Sequence, residues 1–198
     1  MEKALSKHKR IQPKIIVMSK NIFDHIQPIK FLGRENNQPL AFNWYDANKV
    51  IHGKTMRDHL RFAVCYWHSF NWSGNDIFGE GALNRPWLND PKSHDYALQK
   101  LESAFSFFEK LGAPFFCFHD VDIAAYSHTV KELAENLKKI SDSVAKKMEE
   151  NRIGLLWGTA NLFSHPRYMA GAATNPDPEV FKCAAFQVKN MLEVTHQL

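Results

Sequence analysis

The pattern of apolar and polar positions changes at Phe62, and the change divides the chain into two parts. Residues 1–61 are polar and weakly periodic, and glycine, proline and asparagine interrupt them repeatedly. They predict an N-terminal leader segment that wraps the remainder, with short helices over 46–50 and 54–62. In residues 62–198, short apolar runs alternate with longer segments in which apolar residues recur every three or four positions.

The apolar runs predict three buried strands, at residues 62–67, 115–118 and 153–157. The runs lack alternation, which is typical of strands covered on both faces of a parallel sheet. A helical pattern follows each run: the first ends at Gly112, the second begins with a capping box of Thr129 and Glu132, and the third begins at Asp177 with Pro178 in its first turn. This order indicates an α/β fold of right-handed βαβ units, and it is shared by doubly wound sheets and barrels.

Hydrogen-bonding side chains follow each predicted strand at its carboxyl end, where α/β folds place their sites. His119 and Asp122 are the sharpest pair, because an imidazole can move a proton near pH 7 and a carboxylate bonded to it fixes its tautomer. Residues three apart point to opposite faces of a straight strand, so the pair requires a bend after His119. The alternative is a polar turn in which Asp120 and Asp122 cap backbone N–H groups. A metal site on these residues is less favoured, because their spacing matches no known ligand pattern.

Aromatic residues and further polar residues lie in or beside the same loops. Aromatic walls suit a sugar, whose C–H faces pack on rings, and the plainer alternative is that these rings pack the loops. Thr159 and Asn161 either bind ligand hydroxyls or close the turn after the third strand. The aromatic residues concerned are Trp67, Trp72, Phe78, Trp87 and Phe163.

Composition excludes several classes of protein. The 198 residues are 44% apolar and 23% charged, which is ordinary for a globular chain and excludes disordered, collagen-like and coiled-coil proteins. The net charge of +4 comes mainly from residues 1–20, where no aromatic side chains are interleaved with the lysines, so we expect no nucleic-acid partner.

No apolar run approaches the roughly 18 residues of a membrane span. Three widely spaced cysteines in apolar runs indicate reduced thiols in a cytoplasmic protein. Nucleotide-binding and zinc-protease motifs do not occur.

Seven strings of the chain form one irregular pattern when they are taken together and in order. The strings are Pro39-Leu-Ala-Phe42, His59-Leu-Arg-Phe-Ala63, Tyr66-Trp-His68, Asn84-Arg-Pro-Trp87, Phe116-Cys-Phe-His-Asp-Val-Asp122, Trp157-Gly-Thr-Ala-Asn161 and Ala170-Gly-Ala-Ala-Thr-Asn-Pro-Asp-Pro-Glu-Val-Phe181. This pattern resembles the xylose isomerases, specifically the longer class with an extended N-terminal segment, and the resemblance runs from about residue 30 to residue 198.

The resemblance implies a TIM (β/α)8 barrel, of which this chain holds the leader and about three βα units. It further implies a tetramer, two divalent metals per subunit (Mg²⁺, Mn²⁺ or Co²⁺), and conversion of D-xylose to D-xylulose by a metal-assisted hydride shift, with D-glucose as a second substrate. The family's ring-opening roles fall on His119 and Asp122. Its sugar-pocket roles fall on Trp67, Phe78, Thr159 and Phe163, with Phe78 reaching a neighbouring subunit's site.

Two departures from the family limit these expectations. Where the family continues with Pro-Glu-Gly after its ring-opening pair, this chain has Ala125-Tyr126-Ser127. The family's metal ligands and catalytic lysine follow the region that resembles this chain, so we expect no metal ligand here and no activity of the 198 residues alone. A full barrel usually needs about 200 to 250 residues or more. The alternative hypothesis is a catalytically inactive sugar-binding or oligomerisation module.

Overall fold

The computed structural model describes residues 21–198. The basic segment 1–20, for which we expect no nucleic-acid partner, lies outside the described residues. Five strands and five α-helices follow in this order: β1 (Val50–Ile51), β2 (Lys54–Thr55), α1 (Met56–His59), β3 (Ala63–Cys65), α2 (His94–Leu111), β4 (Phe115–His119), α3 (Asp120–Ile123), α4 (Val130–Asn151), β5 (Gly154–Thr159) and α5 (Pro178–Gln197). A π-helical turn spans Trp67–Asn71, and 3₁₀ turns span Pro86–Leu88 and Pro166–Tyr168.

Strands β3, β4 and β5 form one parallel sheet with β4 in the centre. Cys65 of β3 lies beside Cys117 of β4, and His119 at the end of β4 lies beside Thr159 at the end of β5. A bulge between Phe116 and Cys117 shifts the register of β5 by one position. The predicted alternation of parallel strands and helices, and with it the mixed α/β class, is confirmed.

Helices α2, α4 and α5 pack against the same face of this sheet. The alternate residues Val64, Phe116 and Phe118 point into the core that these helices close. On the other face, Trp157 is 40% exposed and Thr159 is also exposed. The expectation that both faces are covered is therefore wrong for the described residues. The run of β4 stays apolar on its second face because Cys117 is buried there between Cys65 and Trp157.

Close packing at one glycine sets the distance between α5 and the sheet. A Cβ on Gly158 would lie 2.6 Å from Cε of Met191 and 2.8 Å from Cγ2 of Thr195. Real Cβ atoms do not approach other carbons this closely, so any larger residue here would force Met191 and Thr195 to shift. The carboxyl end of β5, which carries Thr159, is positioned by this contact.

The ends of the long helices follow local side-chain chemistry. The Thr129 hydroxyl accepts from the Glu132 N–H at 3.1 Å, as predicted. The second half of the predicted capping box is wrong, because the Glu132 carboxylate accepts from the N–H of His128 rather than from that of Thr129. Asp177 accepts from the Glu179 N–H at 2.8 Å and begins α5 as predicted.

The leader is less helical than predicted. No helix covers 46–50, because the Asp46 side chain accepts from the Asn48 N–H at 3.0 Å and closes a turn that leads into the β1–β2 hairpin. The helix predicted over 54–62 shortens to Met56–His59, since β2 occupies its first two positions. The first predicted strand is also shorter, because the chain leaves β3 after Cys65 and enters the π-helical turn. Among residues 21–198, none of the helices has the length and apolar character that crossing a membrane requires.

Candidate functional site

The carboxyl ends of β3, β4 and β5 lie side by side and bring together side chains that are far apart in sequence. Trp67 follows β3 at the start of the π-helical turn, His119 ends β4, and Thr159 ends β5. These are the ends at which α/β folds place binding sites, and the sequence pattern predicted polar groups at each of them.

His119 and Asp122 form a hydrogen-bonded pair because the chain bends directly after β4. Helix α3 begins at Asp120 with His119 as its N-cap, which returns the Asp122 side chain to the histidine. Oδ2 of Asp122 accepts from the backbone N–H of His119 at 2.7 Å and lies 2.9 Å from the ring nitrogen Nδ1. The predicted bend is confirmed.

The pair defines which ring nitrogen carries the proton. A carboxylate only accepts hydrogen bonds, so the contact of Nδ1 with Asp122 places a proton on Nδ1 and leaves the lone pair of the neutral ring on Nε2. Within residues 21–198, Nδ1 is the ring nitrogen of His119 that has a side-chain partner. Both side chains are shielded, with exposed fractions of 12% for His119 and 7% for Asp122. Such a pairing allows an imidazole to accept a proton at Nε2 while the carboxylate fixes its orientation.

Three aromatic rings surround the imidazole. The ring centroid of His119 lies 4.8 Å from that of Trp67, 5.4 Å from that of Phe163 and 5.9 Å from that of Trp157. The Trp67 and Trp157 rings are themselves 5.5 Å apart. Because Trp157 and Phe163 are partly exposed, apolar surface beside the histidine is open to a ligand.

The other aromatic residues singled out in the loops lie elsewhere. Trp87 is buried in the core, and its indole N–H donates to the Phe70 carbonyl at 2.7 Å, so it packs the loop as the plainer alternative holds. The Trp72 indole donates within its own loop, to the carbonyl of Asn75. Phe78 is 89% exposed and is not brought to His119.

The two aspartates of the His-Asp-Val-Asp string have different surroundings. Asp120 accepts from the backbone N–H groups of Val121 and Asn161 and from the Gln187 side chain, at 2.9, 2.8 and 2.7 Å. Burial raises the pKa of this carboxyl, and the three hydrogen bonds oppose the increase. Asp120 thus joins the end of β4 to the loop after β5 and to α5. Because it accepts from two backbone N–H groups, it has the structural role of the polar-turn alternative. Asn161 likewise closes its turn, since its side-chain oxygen accepts from the Ser164 N–H at 2.9 Å.

Asp122 has a second set of partners that the sequence did not indicate. The Asn71 amide donates to Oδ1 of Asp122 at 3.0 Å and to its carbonyl at 3.2 Å. Lys100 donates to the oxygen of that amide at 2.8 Å and also to the Asp122 carbonyl. Burial lowers the pKa of Lys100 to about 8, and the charge of Asp122 opposes part of that decrease.

Three residues near the pair were missed by sequence reasoning. A signal existed for Trp157, which precedes Thr159 by two positions on the same strand and therefore shares its face. No local signal marks Asn71 or Lys100, because the first lies in an irregular turn and the second occupies a position on α2 that is buried among apolar residues.

The loop in which the chain departs from its resemblance leaves the pair intact. Ala125 is buried, and the Tyr126 N–H donates to the Pro91 carbonyl at 2.7 Å. The same loop borders a cavity of about 590 Å³ that also contacts Lys100 and the N-terminus of α4. Asp122 and Asn71 also line this cavity, whereas His119 does not, so the candidate site lies at the strand ends where His119 meets the aromatic rings.

The side chains that could hold a metal ion are scattered over the described residues. Residues 21–198 contain no group of three or more histidine, cysteine or acidic side chains placed to hold a metal ion. In the part of the chain that the structure describes, the hydrogen bond with Asp122 leaves Nε2 of His119 as a single free nitrogen, which by itself is not a ligand set. The described residues do not fit the divalent metals that the resemblance implies, and we assign no reaction step through a metal to them.

The curated proteins that are most informative about this chain share one name. No protein-family model matches the chain. The xylose isomerase of Solibacter usitatus (strain Ellin6076) is 52% identical over 181 residues, which is 91% of this chain and 41% of that protein. Those of Paraburkholderia xenovorans (strain LB400) and Haemophilus influenzae (strain PittGG) are 52% and 54% identical over 176 residues, which is 89% of this chain and 40% of each protein. The chain spans about two-fifths of the length of the curated relatives it matches.

Proposed function

We propose, since the chain is a homologue of the xylose isomerases over about nine-tenths of its length, that it carries the sugar-binding, ring-opening part of a xylose isomerase active site. The substrate class is a cyclic aldose, with D-xylose and D-glucose as candidates. The single observation that carries the proposal is the His119–Asp122 pair, ringed by three aromatic side chains at the carboxyl ends of three parallel strands.

Ring opening needs a proton to move between two oxygens of the sugar, and the pair suits this transfer. Nε2 of His119 accepts the proton of the anomeric hydroxyl while the bond between C1 and the ring oxygen breaks and the C1 carbonyl forms. The imidazolium then returns that proton to the former ring oxygen, which restores neutral His119. Asp122 stabilises the transient positive charge and keeps the first proton on Nδ1.

The surrounding side chains suit the recognition of a sugar. Trp67, Trp157 and Phe163 offer apolar ring surface for the C–H groups, and the exposed Thr159 hydroxyl offers a partner for a sugar hydroxyl. Phe78, which is almost fully exposed, would contribute to the site of a neighbouring subunit in a tetramer. We further propose that β3, β4 and β5 are consecutive strands of a TIM barrel, since their helices cover one face and the other face carries the site. A cytoplasmic location fits the three unpaired thiols of the described residues.

Catalysis of the complete aldose–ketose conversion is a separate question. The hydride shift would depend on metals held by the part of the relatives that has no counterpart in this chain. We therefore expect the purified 198-residue polypeptide to convert no D-xylose to D-xylulose, with or without Mg²⁺, Mn²⁺ or Co²⁺. Metal-dependent formation of xylulose would contradict this expectation.

Ring opening can be tested without the complete reaction, because it interconverts the two anomers of the sugar. Exchange NMR measures this interconversion for D-xylose, with and without the chain. We expect the chain to accelerate it and the His119→Gln variant to lose the acceleration by about 100-fold or more. His25→Gln, a change at an exposed histidine, is the matched control and should behave as the parent.

Binding is followed in parallel through tryptophan fluorescence, since Trp67 and Trp157 lie within the proposed sugar surface. A fluorescence change with D-xylose and no acceleration of anomer exchange would favour the inactive sugar-binding alternative. If D-xylose causes no fluorescence change and the chain does not accelerate anomer exchange, the proposed site is refuted.

A further inference from the structure

Lys100 and Asn71 hold Asp122 through groups that His119 does not use, and the geometry assigns these two residues a positioning role. We infer that they fix the Asp122 carboxylate and, through it, the tautomer of His119. The catalytic meaning of this role rests on the ring-opening function proposed above, whereas the positioning itself is a property of the folded chain.

Each oxygen of the Asp122 carboxylate has its own partner. Oδ2 is bonded to the backbone and ring of His119, and Oδ1 accepts from the Asn71 amide at 3.0 Å. The same amide also donates to the Asp122 carbonyl at 3.2 Å. Asn71 therefore holds the oxygen that His119 does not bind and restricts rotation of the carboxylate about its Cβ–Cγ bond.

Lys100 determines which way the Asn71 amide faces. An ammonium group only donates hydrogen bonds, so its contact of 2.8 Å requires the amide oxygen on the Lys100 side. The amide NH₂ group must then face the carboxylate, which only accepts. Reversing the amide would place donor against donor and acceptor against acceptor. Lys100 thus acts on His119 through two intermediate side chains.

The three partners come from three separate elements. Asn71 ends the π-helical turn after β3, Lys100 lies on α2, and Asp122 lies on α3. The contacts therefore join the first two strand ends of the site to the helix between them. A bend after β4 brings the pair together, and this network holds it in one orientation.

Burial argues that Lys100 has this specific role. Its side chain is among the buried polar groups of the protein, with 7% of the residue exposed, and its neighbours on the buried face of α2 are Ala97, Leu101 and Ala104. An apolar residue would fill such a position without the cost of removing a cation from water. No carboxylate oxygen lies within ion-pair distance of its ammonium group among residues 21–198. What the cation does instead is orient Asn71 and hold the Asp122 carbonyl.

The test measures the tautomer of His119 directly, in the full chain without sugar. Long-range ¹H–¹⁵N correlation spectra of ¹⁵N-histidine-labelled protein report the ratio of Nδ1–H to Nε2–H forms of the neutral ring. The parent should be mainly in the Nδ1–H form. In Asn71→Leu, which cannot donate to Asp122, and in Lys100→Met, the ratio should fall about fivefold, as expected for loss of one hydrogen bond.

A matched control separates positioning from general destabilisation. Gln187→Leu removes a donor from the other buried aspartate, Asp120, and should lower stability while leaving the His119 ratio unchanged. An unchanged ratio in folded Asn71→Leu or folded Lys100→Met would overturn the inference, as would a change of equal size in Gln187→Leu. If Lys100→Met does not fold, Asn71→Leu alone decides the question, because leucine nearly preserves the shape of the asparagine side chain.

The outcome is independent of whether the proposed function is correct. Failure of anomer exchange with a changed ratio would refute the ring-opening function and retain the positioning role. Acceleration of anomer exchange with an unchanged ratio would retain the function and refute the positioning role.

Discussion

Replacing Lys100 with methionine should change how the stability of the chain depends on pH. Lys100 is buried on α2, and burial lowers its pKa from 10.5 to about 8 despite the favourable charge of Asp122. That decrease corresponds to on the order of 3 kcal/mol of destabilisation of the charged form, since one pKa unit is worth about 1.4 kcal/mol. At neutral pH the charged form still donates hydrogen bonds to Asn71 and to the Asp122 carbonyl.

The sign of the pH effect follows from which state holds the proton. Between about pH 8 and 10.5, the lysine of the unfolded chain remains protonated while the buried lysine of the folded chain has released its proton. Stability rises with pH wherever the unfolded state holds more protons. From about pH 7.5 to 10, Lys100 should therefore add about 2 kcal/mol to the free energy of unfolding. Lys100→Met should lose this increase.

The measurement is urea denaturation of parent and variant, followed by circular dichroism across this pH range. Burial raises the pKa of Cys117 to about 11 and also raises that of Tyr66, so both groups lower stability as pH rises, but they are common to the two proteins and largely cancel in the difference. Lys139→Met, at an exposed position of α4, is the control and should give a flat difference. A Lys100→Met difference that is also flat within about 0.5 kcal/mol would refute the reasoning, because it would mean that the buried amine does not titrate below its ordinary range.

Three further predictions concern packing, capping and reactivity. Gly158→Ala should lower the free energy of unfolding by about 1 to 3 kcal/mol, because its Cβ would overlap Met191; an unchanged melting temperature would contradict this packing. Thr129→Ala should cost about 1 kcal/mol through loss of the α4 cap, and Thr129→Ser, which keeps the hydroxyl, should recover most of it in chemical denaturation. In the folded chain, Cys117 should react with a thiol reagent far more slowly than the other two cysteines, because it is buried and its pKa is raised to about 11, whereas equal rates for all three would show that the sheet face opens.

Local patterns predicted the elements that short-range chemistry controls. The three βα units, the cap at Thr129 and the start of α5 at Asp177 were all readable from neighbouring residues. The predictions failed where a side chain had two possible partners nearby. Asp46 closes a turn instead of beginning a helix, and Glu132 reaches the N–H of His128 instead of that of the cap residue.

The site was only partly readable. The bend that joins His119 to Asp122 was required by their spacing. Of the five aromatic residues singled out in the loops, two, Trp67 and Phe163, lie beside His119. The different roles of Asp120 and Asp122 were left open, since both carboxylates directly follow the same strand. Their partners come from distant parts of the chain, Gln187 for the first and Asn71 for the second, and no local pattern encodes such contacts.

The amino-acid sequence by itself determined the order of strands and helices and the placement of proton-transferring and aromatic side chains at strand ends. These follow from periodicity and from preferences that act within a few residues. Only the tertiary structure decided that helices cover one face of the sheet, that Trp157 lies beside His119, and that Lys100 and Asn71 hold Asp122. Those outcomes depend on strand register and on the approach of α2 and α5 to the sheet, which contacts between distant residues establish.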